Sequence, residues 1–197
     1  MKQKVFTLFM LMITALACKN NKENKPPAAQ AAGKTVDSST FYDVKGFFLS
    51  EIKDVSTTPY FLYSITTQDE KKRDSAHVTT TTFVQLAQEF LAQDITQKEL
   101  KPFYKEDIFR DLSTKSITFS YGTKNKNMDV QNIEVLVDEE TNKVNFVFIR
   151  TQSVTKDSTI ITQFNWKRSK NFLINRAVIK SDGSKHSTQQ FVSWNND

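Results

Sequence analysis

From Ile117 to the end of the chain, apolar side chains recur at every second position, and this two-residue period constrains the fold more than any other feature. Ile117, Phe119 and Tyr121 alternate with Thr118 and Ser120; Ile133, Val135 and Val137 alternate with Glu134 and Leu136; Val144, Phe146 and Phe148 follow a turn over 138–142. Further strands are expected over 158–167, 171–181 and 186–194, divided by Arg168-Ser169-Lys170 and by Ser181-Asp182-Gly183-Ser184. The Asp-Gly pair in the second divider is a strong hairpin signal. Together these segments predict a six-strand antiparallel meander with one face toward a core.

Upstream the period lengthens toward 3.6. Val44, Phe48, Ile52 and Val55 make one apolar stripe, widened by Phe41 and Phe47, on a helix expected to open at Ser39-Thr40 and to stop before Pro59. Thr40 with Asp43 approximates a capping box, and Gly46 inside the helix costs about 1 kcal/mol against Ala, which points to close backbone packing there. Residues 60–67 and 75–81 read as a β-hairpin with a charged tip over 68–74. A second helix is expected from Thr82, paired with Gln85, to about Asp94, on Phe83, Leu86, Ala87, Phe90 and Leu91. A third is expected over 101–112, with Pro102 in its first turn and Phe103, Ile108, Phe109 and Leu112 as its stripe. The order predicts an α+β fold in which N-terminal helices and a hairpin pack on a curved antiparallel sheet. Fourteen of the 16 phenylalanines lie beyond Cys18. They either fill the core or, in part, line a groove between helices and sheet that holds an acyl chain or apolar peptide.

The first 17 residues differ from the rest: Lys2 and Lys4, then an uncharged apolar run over 5–17. That run is too short for a bilayer core of about 30 Å, which needs roughly twenty residues, so it reads as an export signal. It ends Ala15-Leu16-Ala17-Cys18, small residues before the only cysteine, where a lipoprotein signal peptidase cuts. Lipidation of Cys18 accounts for a lone thiol in an exported chain and leaves no disulfide or thiolate chemistry. Residues 18–36, the lipidated cysteine followed by an Asn-, Lys- and Ala-rich stretch with Pro26-Pro27, read as a flexible tether. Residues 37–197 then form a single domain. Of 27 Lys and Arg and 22 Asp and Glu, two lysines fall in the leader and four, against Glu23, in the tether. The remaining 21 basic and 21 acidic side chains balance, so nucleic-acid binding is excluded and the basic tether lies against anionic headgroups.

Catalytic patterns are missing from the sequence. No Gly-x-Ser-x-Gly occurs, and His77 and His186 fall in separate hairpins. No Cys pair or His-Glu-x-x-His offers a metal site, no glycine cluster cradles phosphate, and Asp138-Glu139-Glu140 lacks the spacing of a calcium loop, so no cofactor is expected. Carboxylate pairs of the glycosidase kind leave a hydrolase with an unrecognised active site as an alternative. Trp166 and Trp194, with Phe164 and Phe191, are the candidate ligand-binding residues, either as an exposed patch or as part of the core.

The segment Phe41-Tyr-Asp-Val-Lys-Gly-Phe-Phe-Leu-Ser-Glu-Ile-Lys53 resembles the opening helix of a family of small uncharacterised lipoproteins of Bacteroidota. Phe90-x-x-x-Asp94-Ile95 and the strand-rich C-terminal part are similar too, so the resemblance spans about residues 36–195. It implies location and architecture and no catalytic residue. Lys19 stands where an Asp would retain a lipoprotein in the inner membrane, and the tether lacks the acidic run of surface-export signals. The expectation is a non-enzymatic lipoprotein of the outer membrane, facing the periplasm, that binds or supports another envelope component; the alternative is a carrier of lipid or another apolar ligand. Metabolic labelling with a fatty-acid analogue is expected to mark the wild-type chain, and Cys18→Ala to lose both the label and membrane retention.

Overall fold

Helix α1, Val44–Thr57, begins where Asp43 accepts a hydrogen bond from Gly46 N at 2.8 Å. The cap therefore sits at Asp43, and a side chain at Gly46 would land on the Asp43 carboxylate. The close approach expected at this glycine is to the cap of its own helix. Thr58 is extended before Pro59 and ends the helix as expected. The computed structural model describes residues 41–195, which belong to one compact unit. The leader, Cys18, the tether and the Ser39-Thr40 start of the first helix lie outside them.

A hairpin follows, β1 Tyr63–Gln68 and β2 Lys72–His77. Asp69 and Glu70 both have positive φ, and Lys71 N donates to Gln68 O at 3.0 Å, the pattern of a type I′ turn. The charged segment taken for a loop is thus mostly strand, because every residue of β2 is exposed and its polarity costs nothing. Helix α2, Thr80–Leu91, is capped by Thr79, which accepts from Thr82 N at 3.2 Å, three residues before the expected start.

The third expected helix does not form. Lys101–Phe103 make one 3-10 turn around Pro102, and the chain then extends as β3, Tyr104–Asp111, paired along its whole length with β4, Ser116–Thr123. Hydrogen bonds to β4, the next strand in the chain, overrode a helical spacing of four apolar residues. Strands β5 Val130–Asp138, β6 Val144–Val154, β7 Ser158–Lys167, β8 Asn171–Lys180 and β9 Lys185–Ser193 continue the meander, turning at Gly183 with φ 84°, where Gly is required. The sheet has nine antiparallel strands in the order β2-β1-β9-β8-β7-β6-β5-β4-β3. The expected six-strand meander is therefore a seven-strand one, β3 to β9, with the first hairpin added beside β9. Among the described residues the fold is α+β, with two α-helices and a nine-strand antiparallel sheet that dominates it.

Register aligns the buried side chains in rows. Tyr121, Ile133, Ile149, Phe164 and Ile174 form one, and Phe119, Val135, Val147, Trp166, Phe172 and Val192 the next. Both helices stand on this face. Trp166 is its centre, with ring centroids 5.2 Å from Phe48, 4.9 Å from Phe90, 5.1 Å from Phe172 and 5.5 Å from Trp194. Glu51 of α1, nearly buried, accepts from Trp166 Nε1 at 3.2 Å and from Ser169 N at 2.6 Å, so the carboxylate is satisfied by the sheet it packs on.

Phe90 bridges both helices and the sheet through Phe48, Phe164 and Trp166. Phe90→Ala is expected to lower unfolding free energy by about 3–5 kcal/mol, read from urea titration of tryptophan fluorescence. At the other end of the core, Tyr104 donates to Val130 O at 2.7 Å, and burial, followed by the charge of Asp129, pushes its pKa from 10.0 up to about 12. Between those values the folded state binds more protons than the unfolded chain, so stability falls as pH rises through that window. Urea midpoints measured on either side of it should show the fall. Tyr104→Phe should remove part of the slope, the rest belonging to Tyr121, which burial also raises.

Candidate functional site

Three of the four aromatic candidates do not form a surface. Trp166, Phe164 and Trp194 are buried at 0%, 3% and 4% exposure and serve as the floor on which the helices rest. Period-2 geometry explains it, since each lies on the parity that faces α1 and α2. Phe191 has the opposite parity on β9 and stands half-buried on the other face. Of the two readings of these four residues, burial in the core holds for three, and Phe191 lies across the thickness of the sheet from them.

The space between helices and sheet is filled. Where α1, the end of α2 and Tyr121 meet, the opening lined by Phe41, Phe48, Phe90 and Ile133 holds about 10 Å³. That is room for about one water and far from an acyl chain. Five of the phenylalanines beyond Cys18, at 48, 83, 90, 164 and 172, are buried. Others, at 146, 148 and 191, lie half-buried on the opposite face.

That opposite face carries the larger opening. A cleft of about 370 Å³ lies over β1, β9, β8 and β7, lined by Thr67, Ile161, Gln163, Asn175, Ala177, Ser187 and Gln189, with Glu70 of the β1–β2 turn and the backbone neighbours Arg176 and Thr188. Cross-strand register builds its floor. Thr67 aligns with Gln189, Gln189 with Asn175, Asn175 with Gln163, and the same row continues through Arg150 to Asn132. Gln189 Nε2 donates to Asn175 Oδ1 at 2.9 Å, which orients both carboxamides. One step along the strands, Ile65, Phe191 and Leu173 form an apolar row beside the polar one. Arg176 points to the helix side, where it binds Glu89 of α2 at 2.6 Å. The cleft thus offers oriented amide and hydroxyl groups along an apolar border.

The histidines are apart. His77 aligns through Tyr63 with Ser193, which lies seven positions along β9 from His186, a separation of about 23 Å at 3.3 Å per residue. His77 lies against the Phe61 ring at 4.7 Å, and exposed His186 sits 3.3 Å from Asp69. Asp69 is held well below the usual carboxylate range, first by the Ser187 backbone N–H and then by His186, and this pins the β1–β2 turn onto β9. Asp138 of the acidic turn is engaged by Thr141 N and Oγ1, both at 2.8 Å, as a turn cap. Among the described residues, no group of three or more His, Cys, Asp or Glu converges as a metal site.

Sequence reasoning missed the amide row, although the signal was present. A three-residue turn over 168–170 aligns Lys167 with Asn171, and counting back from it places Gln163 beside Asn175. Comparison with known proteins returns no match to a family model, to a curated protein or to a solved structure.

Proposed function

We propose that this chain is a non-catalytic binding module of the cell envelope, held to the outer membrane by acylated Cys18 and facing the periplasm, and that it takes a neutral glycan on the uncovered sheet face. Its resemblance to Bacteroidota lipoproteins and the Ala-Leu-Ala-Cys leader support the location. The observation that carries the binding reading is the carboxamide row Gln163, Asn175 and Gln189 beneath an open cleft of about 370 Å³. Oriented carboxamides offer a donor and an acceptor together, which suits vicinal hydroxyls, and half-buried Phe191 beside them supplies a ring for the apolar face of a sugar. The neutral balance of the domain agrees with an uncharged ligand. The apolar-carrier alternative gains no support from an opening of about 10 Å³ between helices and sheet.

Binding of the full chain to purified cell-wall sacculi and to an array of soluble neutral glycans tests the reading. Wild type should be retained, and Asn175→Ala with Gln189→Ala should weaken retention about tenfold or more while leaving the unfolding free energy within about 0.5 kcal/mol, since both are surface positions. Retention unchanged in the double variant, or no retention of wild type, would count against it.

A further inference from the structure

The two edges of the sheet are built differently. β2 is six residues long, fully exposed, and opens with Lys72-Arg73-Asp74, a charged edge of the kind that discourages pairing. β3 is eight residues long and pairs with β4 on one side only. It and its flanks expose large apolar side chains: Phe103 48%, Ile108 43%, Phe109 66% and Leu112 73%. A long free edge with exposed aromatic bulk is what natural sheets avoid unless something covers it.

The charges on β3 say what covers it. We propose that β3 is a dimerisation edge, pairing antiparallel with β3 of a second copy about a twofold axis at Ile108. Around that residue the sequence Lys105-Glu-Asp-Ile-Phe-Arg-Asp111 is complementary to itself. Lys105 falls opposite Asp111 of the second copy, and Glu106 falls opposite Arg110, each pair occurring twice by symmetry. A twofold-related sheet also requires aligned residues to share a face, and all these pairs have equal parity. Moving the axis to Asp107 puts two aspartates face to face, and moving it to Phe109 sets Asp107 against Asp111. Of these three registers only the one at Ile108 sets no like charges opposite each other, Asp107 there lying opposite Phe109 of the second copy. It also makes Phe109 of one copy a diagonal neighbour of Phe109 of the other, burying the most exposed ring of the strand. Arg110 already binds Glu139 of its own chain, and its five donors serve both carboxylates.

Disulfide trapping on the full chain in membrane preparations tests the edge and its register. Residues opposed at the axis lie within the 4.4–6.8 Å Cα spacing of a disulfide, whereas Asp107 in the two copies would be more than about 7 Å apart. Ile108→Cys should give a dimer on mild oxidation. Asp107→Cys, and Ser75→Cys on the opposite edge, should give none above the unsubstituted chain, whose own Cys18 is the blank. Sedimentation of the full chain in neutral detergent should show a dimer for wild type. Lys105→Glu, a change at an exposed site that sets like charges against Asp111 twice, should loosen it about tenfold or more. Ile108→Cys crosslinking no better than its controls, or wild type monomeric at about 100 µM, overturns the proposal; Lys105→Glu dimerising as tightly as wild type overturns the register.

Discussion

The fold depends on one indole. Trp166 sits in β7, the middle strand of the nine-strand sheet, is fully buried, and is touched by rings from α1, α2, β8 and the segment after β9. Its N–H would be a costly orphan in such a place, since a buried donor without a partner loses its water for nothing. Glu51 removes that cost and brings a charge that is itself expensive to bury, offset in turn by Ser169 N. The position of α1 on the sheet is therefore set by a polar fit as well as by apolar area. Aromatic edges around Trp166 fix the angle at which α2 lies, because edge-to-face rings tolerate little sliding.

Because the helices use up one face, everything available for recognition lies elsewhere. The other face is not uniformly wet: it runs in stripes, an amide stripe through Gln163, Asn175 and Gln189 beside an apolar stripe through Ile65, Phe191 and Leu173. Stripes of this kind follow from register and cross strands at right angles, so a ligand spanning several strands meets one chemistry along its length. The two edges complete the description. One is short and charged, the other long and studded with rings, and the molecule is polarised from side to side as well as from face to face.

Much of this was legible in the sequence. The two-residue period after Ile117 located β4 to β9 to within a few residues, and the 3.6 period located α1 and α2. Failure came where apolar spacing and strand pairing disagreed. Residues 101–112 have both a helical apolar spacing and a workable β alternation, and only the presence of β4 alongside decides between them. The charged β2 failed for a related reason, since a fully exposed edge strand need not alternate. The aromatic candidates were assigned by residue type when parity was the deciding variable: Trp166, Phe164 and Trp194 count to the helix side, Phe191 to the open one. The amide row needed two further steps, turn lengths and then register, and those were available at Arg168-Ser169-Lys170.

The pairing of β1 with β9 has a consequence for how this molecule comes into being. Ser64 and Gln190, joined across that pair, are 126 positions apart in the chain. The β1–β2 hairpin acquires its second neighbour only when β9 arrives. A two-stranded hairpin is marginal alone in water, so the early part of the chain stays uncommitted until the end is present. Closing so long a loop is slow relative to forming the local hairpins of the meander. For a polypeptide delivered amino end first, the sheet is completed from its last-delivered side, and the first hairpin docks only once β9 has been delivered.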